Sequence, residues 1–184
     1  MKLKVALILL IVQTLLIAGC VAPAVKSELV PARVATYPLT GKSILVAPVT
    51  IRPQPKPGFL MDVPPRLDGK AFRAAIVNTL AGTKLFTAVM TQGDADYTLS
   101  ADVVGQRQQG GTSNIELLLV RYTLSETQSG KELWAGNLLS HSEMSAAEVF
   151  MGNERMKLVL QEAARDNLKQ LGIQMGSLLT GQHK

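Results

Sequence analysis

The chain has 184 residues, enough for one domain with a real core but not for two large ones. Its 19 basic and 14 acidic residues are spread out, with no run of Lys or Arg, and aromatics make up only 4%. That excludes the clustered basic surface with interleaved aromatics that nucleic-acid binding requires.

The N-terminal stretch is a secretory signal by its physical pattern. Lys2 and Lys4 give a basic start, Val5 to Val12 an apolar run, and Leu15 to Ile17 extend it. The run is too short, and too polar at Gln13-Thr14, to span a membrane comfortably. Small residues then precede the single cysteine, which has no partner for an internal disulfide. Ile17-Ala18-Gly19-Cys20 resembles the lipobox of bacterial lipoproteins. The resemblance implies cleavage between Gly19 and Cys20, a diacylglycerol on the Cys20 sulfur and an N-acyl chain on its amino group. Each buried methylene then contributes about 0.8 kcal/mol to membrane attachment. No other cofactor and no metal is expected. Loss of Lys2 and Lys4 leaves 17 basic against 14 acidic residues, a mild excess. Val21, where Asp would mark retention, resembles the Gram-negative pattern sorted to the outer membrane.

Residues 20–41 read as the lipidated cysteine and a flexible tether. Pro23, Pro31 and Pro38 interrupt any regular period. Such a chain spans about 25 Å on average and about 65–70 Å fully extended. The sequence leaves open whether part of it docks. Residues 42–184 form a single periplasmic domain. Lys42 to Thr50 is a strand lying inside a sheet, because Ile44, Leu45, Val46 and Val49 are nearly continuous. Residues 52–67 hold five prolines and form a loop. Within it, Phe59-Leu60-Met61 is the candidate partner contact, since a proline-stiffened apolar triplet loses little entropy on binding. The alternative is a lid folded over the domain.

Asp68 caps a helix over 70–80 whose buried face is Phe72, Ile76 and Leu80, with Ala75 and Thr79 beside them. Gly82 is expected to end it in the left-handed conformation. Lys84 to Met90 is a short strand. Tyr97–Gln108 alternates around Tyr97, Leu99, Ala101 and Val103, Asn114–Ser125 is rich in Leu, Val and Tyr, and Glu132 to about Met144 carries Leu133, Trp134 and Leu138. The turns Gln109-Gly110-Gly111-Thr112 and Gln128-Ser129-Gly130-Lys131 join them into an antiparallel meander. Asn153 to Leu179 is a long helix, with Asn153 as cap. Its stripe is Met156, Leu160, Ala163, Leu168, Leu171, Met175 and Leu178, and Gly172 and Gly176 are expected to fray or bend it. The fold class is α+β: a mostly antiparallel sheet of four to five strands, two helices on one face, in the order β-α-β-β-β-β-α.

Three phrases carry a further resemblance: Lys84-Leu85-Phe86-Thr87-Ala88-Val89, Ala95-Asp96-Tyr97-Thr98-Leu99, and Thr127-Gln128-Ser129-Gly130-Lys131-Glu132-Leu133-Trp134. They resemble small envelope lipoproteins that include activators of penicillin-binding proteins, auxiliary proteins of ABC-type lipid transporters and curli-secretion-like lipoproteins. In layout the likeness covers about residues 42 to 179. It implies a non-enzymatic accessory role, with an envelope protein partner or a homo-oligomer, and it carries over no catalytic residue. The histidines, His141 and His183, lack converging ligands. Ser140, His141 and Glu143 make no relay, because strand neighbours point to opposite faces. Asp94 and Asp96 read as turn and strand-entry residues, and Gly110-Gly111 lacks the helix and Lys-Ser/Thr of a phosphate loop. The sequence therefore predicts an outer-membrane lipoprotein facing the periplasm, an accessory or assembly component of an envelope complex. The alternative is a carrier that holds a lipid or glycan between helices and sheet.

Overall fold

The computed structural model describes residues 28–53, 66–109, 112–149 and 152–181. Cys20, Gly19 and the Phe59-Leu60-Met61 triplet lie outside the described residues. The elements are β1 (Ser43–Val46), β2 (Thr50–Ile51), α1 (Gly69–Thr83), β3 (Ala88–Met90), β4 (Tyr97–Gln109), β5 (Ser113–Glu126), β6 (Glu132–Ser145) and α2 (Gly152–Thr180). The α+β class holds, with two helices against one face of an open sheet. The strand count is six rather than four to five, because Thr50–Ile51 forms a separate short strand on β4.

The meander β4-β5-β6 is antiparallel, as its tight turns require. The other half of the sheet is parallel: β1 lies between β3 and β4 and runs with both. A helix separates β1 from β3, and such a crossover brings the second strand back in the same direction. Asp96, at the entry to β4, fastens this arrangement. Its carboxylate accepts the Ser43 N–H and hydroxyl, each at 2.8 Å, and the Lys42 ammonium at 3.0 Å. These donors hold the Asp96 carboxyl well below the usual carboxylate range.

Helix α1 starts where its cap places it, with the Asp68 carboxylate accepting the Ala71 N–H at 2.7 Å. Phe72, Ala75, Ile76, Thr79 and Leu80 are buried on its inner face. Its end corrects the sequence expectation. The helix runs past Gly82 to Thr83, and Lys84 takes the left-handed position with φ 59°. Thr83 is fully buried, its hydroxyl donating to the Leu80 carbonyl and accepting from the Leu85 N–H. Those bonds extend the last turn, so the strand after it shortens to Ala88–Met90. In α2, Leu160, Ala163, Leu168, Leu171 and Met175 are buried, while Met156 and Leu178 are half-buried. The helix begins at Gly152, which puts Asn153 inside the first turn rather than before it. Between helix and sheet, the Tyr122 hydroxyl donates to the Asn167 side-chain oxygen at 2.8 Å, and the Asn167 amide donates to the Leu138 carbonyl at 2.9 Å. Satisfying these groups avoids a cost of a few kcal/mol for burying them bare.

Residues 28–41, read from sequence as part of a flexible tether, lie against both helices as a strap. At one end the Glu28 carbonyl accepts the Arg165 Nε at 2.6 Å, and its carboxylate accepts the Gln161 amide at 2.6 Å. Leu29 is buried beside them. Further along, the Tyr37 N–H donates to the Thr83 carbonyl at 2.9 Å and the Thr40 N–H to the Leu85 carbonyl at 2.8 Å. The strap thereby satisfies the Thr83 carbonyl that the end of α1 leaves open, and the Leu85 carbonyl just beyond it.

Gly172 and Gly176 have a different use from the fraying expected of them: they seat the strap. A Cβ at Gly172 would stand 3.3 Å from Val34, and one at Gly176 would overlap the Tyr37 ring. Replacing Gly176 by Leu is therefore expected to expel Tyr37, lower stability by about 1–3 kcal/mol and open the strap to trypsin at Arg33. Urea melts and limited proteolysis check this, and an unchanged cleavage rate would contradict the seat.

Candidate interaction face

Strand β5 carries apolar residues on both of its faces. Leu118, Val120, Tyr122 and Leu124 point into the core and are buried. Ile115, Leu117 and Leu119 point the other way, where no described helix covers them, and are half-buried. The strand register supplies their neighbours in rows across the sheet. Gly105, Leu119 and Leu139 form one row, Arg107, Leu117 and His141 the next, and Gln109, Ile115 and Glu143 a third. Below them Asp102, Arg121 and Asn137 make a polar row, with Arg52 paired to Asp102 at 2.8 Å and the Arg121 Nε donating to the Asn137 side chain at 3.2 Å. Leu139 is 57% exposed, one of three large apolar side chains that stand out among the described residues, with Leu39 and Ile173. The face thus has an apolar centre and a charged rim, the anatomy of a protein interface.

A bulge makes this face. The β4–β5 register shifts between Val103 and Gly105, which inserts Val104 as an extra residue. Before it, Leu99, Ala101 and Val103 face the core. After it the inward positions become Gln106 and Gln108, and the outward ones Gly105, Arg107 and Gln109. The Gln106 side-chain oxygen accepts the Leu67 N–H at 3.2 Å, and the Gln108 amide donates to the Met156 carbonyl of α2 at 2.9 Å. The free edge at β6 is closed at its middle by α2, whose Gln170 amide reaches the Leu139 carbonyl at 3.2 Å. That contact discourages a further strand from pairing there, so the face, not the edge, is the open surface.

On the covered face, under α2, the row between those of Leu117 and Ile115 is polar. Glu116 lies between Gln108 and Ser142 and is fully buried. Neither carboxyl oxygen has a partner in hydrogen-bond geometry. Burial pushes the carboxyl up to about 8, and the nearby Gln106 amide offsets only part of that. Ser140 is buried, its hydroxyl donating to the Leu118 carbonyl at 3.2 Å, whereas His141 and Glu143 are exposed on the other side. The three do not converge. The open face was not singled out from sequence. Its signal was the continuous apolar run Leu117 to Val120, with Ile115 before Glu116, in a strand whose second side had no helix left to cover it.

No family model and no curated protein matches the chain. Its fold is similar to that of protein XCC0632 from Xanthomonas campestris, a DUF330 protein, with a TM-score of 0.64 at 16% identity over 83% of this chain and 95% of that one. The hypothetical protein CT253 from Chlamydia trachomatis follows at a TM-score of 0.54 and 9% identity, over 77% and 99%. A minor lipoprotein from Acinetobacter baumannii is a looser likeness, at 0.47 and 12% over 76% and 94%. At these identities the likeness is one of fold.

Glu116 makes stability depend on pH. The unfolded chain releases this proton near 4.5 and the folded one holds it to about 8. Its contribution is thus full below 4.5 and is lost as pH rises towards 8. Glu116→Gln is expected to flatten that slope and to raise stability at pH 7.5 by about 1–3 kcal/mol. Urea melts at pH 5 and pH 7.5 measure it, and an equal slope in both proteins would contradict the assignment.

Proposed function

We propose that this protein is a lipid-anchored envelope lipoprotein of the outer membrane, facing the periplasm, which acts as a non-enzymatic accessory or assembly component through protein contacts. The observation that carries the reading is the opposition of two surfaces. The strap enters on the helix side, at Glu28 beside Gln161 and Arg165 of α2. The uncovered apolar face lies on the other side of the sheet. Docking shortens the leash from the whole stretch after Cys20 to the eight steps between Cys20 and Glu28, about 28 Å at full extension. An anchor that short keeps the domain close to the membrane, and because it leaves from the helix side it does not cross the open face.

Two observations favour contact over chemistry or carriage. Ser140 and His141 lie on opposite sides of β6, and the buried Glu116 reaches no surface. The space a carrier would need between helices and sheet is occupied by fully buried Phe72, Leu99, Tyr122, Leu168, Leu171 and Met175. A groove of about 770 Å³ lies instead between strap and α2, and charged side chains line much of it: Arg33, Glu162, Arg165, Asp166 and Lys169.

Cys20→Ser in the full-length chain is expected to move the protein from the membrane fraction to the soluble periplasmic fraction, measured by fractionation and immunoblotting. A variant that stays fully membrane-bound would contradict the anchor. Turnover of an envelope substrate that vanished on changing Ser140 or His141 would contradict the non-enzymatic role.

A further inference from the structure

We infer that the open sheet face is closed by a second copy of this chain, stacked face to face about a twofold axis that runs along β5. The inference rests on the contact-based reading above and names the occupant of the surface. Such an axis lays β4 of one copy over β6 of the other and keeps every row at its own level. Aligned sheets pack in this way, about 10 Å apart.

Two independent features of the face become complementary under that single operation. In the first row, Leu139 of each copy comes to lie over Gly105 of the other. Leu139 is the exposed large apolar side chain of the described sheet, at 57%, and Gly105 offers no side chain. A Cβ there would meet only Leu119, at 3.8 Å, so the depression is open. The knob and the hole share one row. In the next two rows, Arg107 on the β4 flank comes opposite His141 on the β6 flank, and Glu143, one row further on and opposite Gln109, stands diagonal to it. Arg107 and Glu143 are both exposed, and neither forms an ion pair within its own chain among the described residues. The twofold pairs them twice. Leu117 and Leu119 of the two copies fill the centre. Apolar burial drives the association, and the rim charges fix its register.

The test uses the full-length lipidated protein in its native membranes, with a photoreactive residue at Leu117, and reads self-crosslinking. Wild type is expected to crosslink to itself. Arg107→Glu and Glu143→Arg are each expected to cut the yield about tenfold, because each puts like charges opposite one another. The double variant restores the pairs and the yield. Mixing the two single variants is the sharpest arm, since each then offers the charge the other lacks and a one-to-one heterodimer should form. Melted at high dilution in detergent, where the copies are apart, all four proteins are expected to show the same temperature, as both positions are exposed. Crosslinks to a different envelope protein alone, or charge reversals without effect on self-crosslinking, would overturn the second copy as occupant. Both outcomes leave the anchored, contact-based role standing, because the anchor fails on the fractionation of Cys20→Ser and the contact-based role on turnover lost with Ser140 or His141.

Discussion

A sheet has two faces, and this chain places both of its described helices on the same one. Every distinctive feature follows from that allocation. The covered face collects Ile44, Val46, Leu99, Val120, Tyr122 and Leu124 against α1 and α2, and gives the domain its core. The uncovered face keeps Ile115, Leu117, Leu119 and Leu139, each with apolar surface that water would otherwise meet at about 25 cal/mol per Å². The Val104 bulge sharpens the division, because it exchanges the inward and outward residues of β4 halfway along the strand.

The helix layer has its own uncovered surface, and the strap takes it. Tyr37 over Gly176 is a close approach that any larger residue in the helix would block, and Val34 packs tightly over Gly172. Backbone bonds from Tyr37 and Thr40 to the carbonyls of Thr83 and Leu85 make the strap part of the fold. Because the strap precedes the first strand, it also sets where the N-terminal leash leaves the domain.

Much of this was legible in the sequence. The α1 face repeats every four residues, the α2 stripe steps by threes, fours and fives, and the meander is marked by its turns, so periodicity located all of them. Parallel pairing of β1 with β3 and β4 was not legible, because short apolar runs do not encode direction and the β4–β5–β6 turns suggested an antiparallel sheet throughout. Gly82 misled for a related reason. Left-handed termination favours glycine, but buried Thr83 and its hydroxyl bonds held the helix one turn position longer and passed the strain to Lys84. The strap was hidden because its contacts are single residues on glycines, with no period. The open face was hidden because a strand apolar on both sides reads the same whether a partner layer comes from its own chain or from elsewhere. The lipobox cysteine and the Phe59-Leu60-Met61 triplet fall outside the described residues, so their placement remains a reading of sequence.

The central claim is that the sheet face opposite the strap is occupied in the membrane-bound protein. Hydroxyl-radical footprinting tests it most directly, applied to the full-length lipidated protein in native envelope vesicles and again after dilution in detergent. The account predicts that Leu117, Leu119 and Leu139 are protected from oxidation in the vesicles and become reactive on dilution, while Leu39 on the strap changes little. Equal oxidation of the three leucines in both states, with protection confined to the helix side, would contradict it.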